Sequence, residues 1–127
     1  MVADRITDGT RIAELLASEV TGHERAPYDR TSVVDAAPDV GPTADGARAY
    51  DVAHDGTVVA RVFVQPERIR VAVFSGLDAA DAAAEDAGLR ARPVASDPAR
   101  LVVFVASGAA TKRALDVLGA AVAARED

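Results

Sequence analysis

Two histidine–acid pairs are the residues in this 127-residue sequence with the plainest capacity for acid–base chemistry. His54 directly precedes Asp55, and a histidine beside a carboxylate can act as a general base. Gly56 follows, however, and Asp-Gly between two apolar runs is a strong signal for a β-hairpin turn, so the pattern favours a turn. His23-Glu24 follows a predicted helix, whose C-terminal dipole favours a histidine. We therefore name no catalytic residue, and enzymatic activity stays an open alternative.

Metal and cofactor chemistry has little support in the sequence. Cysteine is absent, which excludes disulfides, thiolate ligands and thiol nucleophiles. With two histidines, a zinc site would need carboxylates from distant segments. Neither the phosphate-loop motif nor the dinucleotide-binding motif occurs. We predict no metal and no cofactor.

The stretch from Ser107 to Lys112 could bind an anion, because it follows an apolar strand and begins a helix. Lys112 is the single lysine of the chain. We predict a candidate anion site at Ser107, Gly108 and Lys112, with capping of the helix by Ser107 as the alternative. Tyr28-Asp29-Arg30 has the composition of a small polar site and equally that of a local ion pair beside a packed ring.

The composition indicates a soluble protein with one core. Half of the residues are hydrophobic and the net charge is −6, so a uniformly basic nucleic-acid surface is missing. There is no apolar run long enough to cross a membrane and no signal-peptide pattern at the start, so we expect a single cytoplasmic domain over residues 1–127. One lysine, no asparagine and many aspartates resemble the composition of small uncharacterised protein families of haloarchaea, with a GC-rich bacterial genome as the alternative source of part of this bias.

Hydrophobic periodicity predicts an α+β fold with element order α-β-β-β-α-β-β-α. We expect a mainly antiparallel sheet of about five strands and three helices, with the first and last helices on one face. Residues 21–46 form an irregular segment packed across the domain, with one short strand at 31–34. Ser75, with Asp78 three residues later, is predicted to cap the second helix. The predicted elements are helix 8–20, strands 48–54, 57–64 and 69–74, helix 77–87, strands 89–95 and 100–106, and helix 109–125.

Turn lengths then assign side chains to the two faces of the central sheet. A two-residue turn at Asp55-Gly56 and a four-residue turn at 65–68 fix the predicted register. The dry face, which also receives Asp51, presents Ala49, Ala53, Val58, Ala60, Val62, Val64, Ile69, Val71 and Val73. The opposite, arginine–aromatic face presents Arg48, Tyr50, Val52, His54, Val59, Arg61, Phe63, Arg70, Ala72 and Phe74.

Arginine and aromatic residues are enriched at protein interfaces, so this face indicates a noncatalytic protein-interaction module. We predict that it binds a second copy of the chain or another protein through Arg48, Tyr50, Arg61, Phe63, Arg70 and Phe74. Three alternatives remain open. Segment 21–46 covers the face within the same chain, the face binds nucleic acid through its arginines, or the protein binds a small molecule or anion at 107–112.

The element order, with its two central hairpins over 48–74, resembles the secretion-chaperone-like fold of type III secretion chaperones and YbjN-like proteins. That resemblance implies an antiparallel sheet with helices on one side, dimerisation, and polypeptide binding without catalysis. No motif matches, so no functional residue of that family is assigned to this chain.

Overall fold

The structure is a computed structural model and describes residues 6–23, 25 and 28–126. The predicted α+β class and element order are confirmed, and the strand count is six because 31–34 joins the sheet. No helix within these ranges is both long and apolar enough to cross a membrane. The elements are α1 (Gly9–Thr21), β1 (Thr31–Val34), β2 (Ala47–His54), β3 (Thr57–Val64), β4 (Ile69–Val73), α2 (Leu77–Asp86), β5 (Ala91–Val94), β6 (Arg100–Val105) and α3 (Ala110–Glu126).

The six strands form one antiparallel sheet in the order β1-β2-β3-β4-β6-β5. The two edge strands, β1 and β5, have four residues each. Pro93 lies in β5, as expected of a residue that cannot donate to a central ladder. All sequence-predicted strands are present, with ends shifted by three residues or fewer.

The three helices pack together on one face of the sheet, which we call the inner face. In α1, Ile12, Leu16 and Val20 recur at helical spacing and are fully buried. Asp8 caps this helix, since its Oδ1 accepts a hydrogen bond from the Thr10 amide at 3.0 Å. The inner-face residues of β3 and β4 are also buried, which confirms the predicted packing of the dry side: Ala60, Val62, Val64, Ile69, Val71 and Val73.

The start of α2 differs from the prediction. The residue before the helix is Gly76, with φ 56°, and no side chain caps the helix, so the expected Ser75–Asp78 capping box is wrong. The reason is helix packing. A Cβ at Gly76 would lie within 2.3 Å of the Ala121 carbonyl oxygen in α3, so glycine allows α2 and α3 to approach at this point.

Both predicted hairpin turns are confirmed. Asp55 and Gly56 have φ values of 51° and 81°, the left-handed backbone of a two-residue primed turn, and His54 pairs with Thr57. Across the longer turn, Val64 pairs with Ile69. The register of β3 against β4 is therefore the predicted one along its whole length.

Two bulges make the predicted register of β2 against β3 wrong between Tyr50 and Val52. Ala53 pairs with Val58 as expected, but the next pair is Val52 with Ala60, so Val59 is an extra residue in β3. A second shift lies at Ala49 in β2. Because side chains alternate along a strand, the first bulge shifts the partner residues by one position, and the second bulge cancels that shift, so Arg48 and Phe63 share a face as predicted.

The bulges exchange the faces of several side chains. Tyr50, Val52 and Val59 belong to the buried core, not to the arginine–aromatic face. Asp51 pairs with Arg61 instead of Ala60, so it leaves the predicted dry side for the opposite face. Val58 moves in the same way and lines a shallow surface depression with Arg61 and Phe74.

Candidate protein-interaction face

The outer face of the sheet, the one away from the helices, contains all three phenylalanines of the chain. One row of paired residues crosses four strands and alternates arginine with phenylalanine. Its members, in order from β2 to β6, are Arg48, Phe63, Arg70 and Phe104. Phe74 follows β4 on the same face, and the three rings are partly buried. Cross-strand pairing therefore builds a continuous arginine–phenylalanine surface.

Each ring has at least one guanidinium within cation–π distance. The Cζ of Arg70 lies 5.0 Å from the centre of the Phe63 ring. Phe74 has two such neighbours, Arg61 at 5.8 Å and Arg100 at 5.4 Å. Phe104 likewise has Arg68 at 4.4 Å and Arg90 at 5.5 Å. The rings hold the charged groups near the sheet, and the guanidiniums in turn cover the rings.

Asp51 is the carboxylate at the β2 side of this face, and it is 3% exposed. The Nε of Arg61 donates to Asp51 Oδ1 at 2.9 Å, and the Nε of Arg48 lies 3.3 Å from the same oxygen. Burial raises the pKa of Asp51, but the hydrogen bonds and charges of Arg61 and Arg48 outweigh burial and hold that pKa below its ordinary value. Asp51 is thus ionised at neutral pH and fixes both arginines.

The other arginines of the outer face carry charge that no described carboxylate balances. Arg68, Arg70, Arg90 and Arg100 form no ion pair with any residue in the described part of the chain. The Nη2 of Arg70 donates to the Asp45 carbonyl oxygen, and its buried Nε has no hydrogen-bond partner. Since the whole chain carries −6, the charge is segregated, with an excess of cations on this face.

Segment 21–46 does not pack across this face in its described part. Tyr28 reaches the helical side, where its hydroxyl donates to the Leu115 carbonyl at 3.3 Å. The segment comes to the outer face near its rim, where Asp35 lies beside Arg48 and Gly46 beside Arg70. The centre of the outer face therefore has neither a described helix nor any described part of this segment above it.

Five of the six predicted interface residues lie together on the outer face: Arg48, Arg61, Phe63, Arg70 and Phe74. Tyr50 does not. It is buried on the inner face and donates to the Ala13 carbonyl of α1 at 2.7 Å. Sequence reasoning missed Arg68, Arg90, Arg100 and Phe104. Phe104 lies in the uniformly apolar run 101–105, where no alternation of residue type reveals a face.

The predicted anion junction has its backbone amides engaged within the chain. The Ser107 Oγ accepts from the Ala110 amide at 3.2 Å, as the capping alternative requires. The Gly108 amide donates to the Ile6 carbonyl at 2.9 Å, and the Thr111 amide donates to the Gly108 carbonyl. Lys112 is exposed.

The His54–Asp55 pair does not form an open site. His54 is fully buried, with its Nδ1 3.1 Å from the Thr31 hydroxyl and its Nε2 3.6 Å from Asp55. His23 pairs with Glu19 at 3.3 Å, whereas its sequence neighbour Glu24 lies outside the described residues. Across the described residues, no group of three or more acidic or histidine side chains could hold a metal ion.

Comparison with known proteins gives one match. A search of curated proteins and a search of solved structures each found no similar protein. A family model described as a family of unknown function, DUF7993, matches residues 1–127, the whole length of the chain. The chain therefore belongs to DUF7993, a family of unknown function.

Proposed function

We propose that the protein is a noncatalytic interaction module that binds an acidic polypeptide through the outer face of its sheet. The observation that supports this is the row of phenylalanines covered by arginines on the side of the sheet without helices. Arginine and aromatic groups dominate binding energy at protein interfaces. The element order of the sequence resembles that of polypeptide-binding chaperones, and a shared fold would imply the same class of function.

Charge selects the partner. A symmetric contact between two copies places the same patch against itself, so arginines without an ion pair, such as Arg70 and Arg100, would lie opposite other arginines. Like charges across an interface oppose binding, whereas carboxylates accept paired hydrogen bonds from guanidiniums. An acidic chain with some apolar side chains satisfies both the arginines and the partly buried rings.

The alternative of nucleic-acid binding is less well supported by the geometry. Single-stranded nucleic acids stack their bases on open aromatic faces. Here Phe63, Phe74 and Phe104 each have a guanidinium over or beside the ring at 4.4–5.8 Å. A base would have to displace these groups before it could stack.

Binding to poly-L-glutamate, measured at low and at physiological salt, tests the proposal. Replacement of Arg70 and Arg100 by glutamine should weaken binding about tenfold or more, because two charge-assisted contacts are lost. The matched control is R11Q/R25Q, which removes two exposed charges away from the face and should keep the affinity.

Three outcomes would contradict the proposal. An equal loss of poly-L-glutamate affinity in R11Q/R25Q would mean that the polymer is attracted by the charge of the protein in general and not by this face. A single-stranded oligonucleotide bound more tightly than poly-L-glutamate would favour nucleic acid. A dimer seen by light scattering that dissociates in R70Q/R100Q would make the partner a second copy.

A separate proposal is that the family is haloarchaeal, which the lysine-poor, aspartate-rich composition supports, and that the protein is cytoplasmic. At 1 M salt the Debye length is about 3 Å, so the arginines would act there through direct hydrogen bonds and apolar contact. The free energy of unfolding should then rise from low to multimolar KCl. A value unchanged by KCl contradicts a halophilic origin.

A further inference from the structure

We propose that a cleft beside Phe104 binds the phosphoryl group of a small phosphomonoester. The cleft has a volume of about 290 Å³. It lies where the β3–β4 turn, the segment before β5 and the start of α3 meet, and Arg68, Arg90 and Arg113 all line it. This site adjoins the proposed polypeptide surface and shares Arg68, Arg90 and Phe104 with it, whereas Arg113, which belongs to α3, lies in the cleft alone.

The three guanidiniums are positioned by neutral partners, so their charge is not cancelled. The Nε of Arg68 donates to the Gln65 side-chain oxygen at 2.8 Å, and Arg113 donates to the Ala87 carbonyl at 3.1 Å. Arg90 lies 5.5 Å from the Phe104 ring centre. None of the three pairs with a carboxylate in the ranges that the structure describes. A concave site lined by one sign of charge concentrates the field for an anion.

Charge and size together favour a phosphomonoester. A phosphate ester carries about −1.5 to −2 at neutral pH and offers three acceptor oxygens, whereas a carboxylate carries a single charge. Three guanidiniums match the larger charge, and arginine binds phosphate oxygens in pairs. The apolar side chains of Leu89 and Phe104 also line the cleft and provide a surface for the organic part of the ester.

This cleft adjoins the junction that the sequence indicated but uses other groups. Ser107 lines it, whereas Lys112 is not among its lining residues. The cations come instead from three arginines that are 22 or more positions apart in the chain. The fold, and not a local motif, brings them together.

A nuclear magnetic resonance titration with phenyl phosphate, inorganic phosphate and acetate tests the proposal. We expect saturable amide shifts at Leu89, Ser107 and Arg113, with phenyl phosphate tightest and acetate weakest. R113Q should weaken phenyl phosphate binding about tenfold. K112Q, which removes the adjacent charge outside the cleft, should leave it unchanged. Thermal unfolding of both variants checks that they fold.

Three results would each overturn the proposal of a phosphate site in this cleft. They are the absence of saturable shifts, equal affinity for acetate and phosphate, and an equal loss of phenyl phosphate affinity in K112Q and R113Q. Tighter binding of a single-stranded oligonucleotide at the same amides would replace the small ester with a nucleic-acid backbone. Two crossed measurements distinguish the two proposals, because Arg113 lines only the cleft and Arg70 and Arg100 do not line it. R113Q should still bind poly-L-glutamate, and R70Q/R100Q should still bind phenyl phosphate. Either proposal can therefore fail alone.

Discussion

Arg70 pairs with Phe63 across the β3–β4 ladder, and its guanidinium carbon lies 5.0 Å from the centre of that ring. The same arginine pairs with Phe104 on its other side, in β6. A side chain held by an aromatic ring and a backbone carbonyl has lost much of its rotamer freedom before any partner binds. Binding at this face therefore costs less ordering entropy than binding by free surface arginines.

The rings themselves should contribute more to binding than to stability. F63S/F74S should remain folded and lose about 1–3 kcal/mol per ring in unfolding free energy, less than for fully buried rings, because both are partly exposed. It should also lose poly-L-glutamate binding, since the guanidiniums lose their support. F63L/F74L, which keeps apolar area, should retain the fold with intermediate binding. Chemical denaturation and titration measure both effects, and a double serine variant that is unfolded would show that the face is interior.

Asp51 should stabilise the fold at neutral pH through Arg61 and Arg48. D51N should lower the unfolding free energy by about 1–3 kcal/mol at pH 7, because two charge-assisted contacts weaken in a buried site. The folded pKa lies below the unfolded value near 3.9, so this stability is present above that value and is lost as pH falls through the folded pKa. D51N should therefore lose less stability on acidification than the wild type. D81N, at an exposed α2 position, is the control and should follow the wild-type profile.

Tyr50 should make the fold sensitive to alkali. Burial raises the pKa of its hydroxyl, which donates to the Ala13 carbonyl. Its contribution is complete below the unfolded pKa of about 10 and is lost as pH rises toward the folded pKa, because the unfolded chain ionises first. Y50F should cost about 1 kcal/mol at pH 7 and reduce the loss of stability above pH 10. An alkaline profile identical to the wild type would contradict this role.

Gly76 should be intolerant of any side chain. G76A combines a left-handed backbone with a Cβ that would lie within 2.3 Å of the Ala121 carbonyl, so α2 and α3 must separate. We expect a loss of about 2 kcal/mol or more in unfolding free energy. G41A, where a Cβ would meet nothing within 4 Å, is the control and should be nearly neutral by thermal denaturation.

The parts of the fold that local signals specify could be predicted. Asp55-Gly56 defined one turn, and the spacing of Ile12, Leu16 and Val20 defined α1. The bulge at Val59 could not be predicted in the same way, because its neighbours Val58 and Ala60 are also small and apolar and fit either face. One signal did exist. The predicted register buried one carboxylate, Asp51, on an otherwise apolar face, where an unpaired charge is costly. That cost indicated that the register shifts before Asp51.

The candidate site was predictable where arginines and aromatics alternate along β3 and β4. The position of Phe104 was not predictable, because each residue from Leu101 to Val105 is apolar and no alternation of residue type shows which side chains share a face. Arg68 and Arg90 lie outside the strands, so their positions over the Phe104 ring depend on tertiary packing. The same holds for Arg113, whose place in the cleft requires α3 to dock against the sheet.

The short outermost strands have a consequence for behaviour at high concentration. The outermost strands β1 and β5 have four residues each, and Pro93 removes one backbone donor from β5. Such strands are poor templates for ribbon growth, which needs long runs of free amides and carbonyls. A concentrated solution of this valine-rich chain should consequently resist fibril formation, because new strands find little edge to extend.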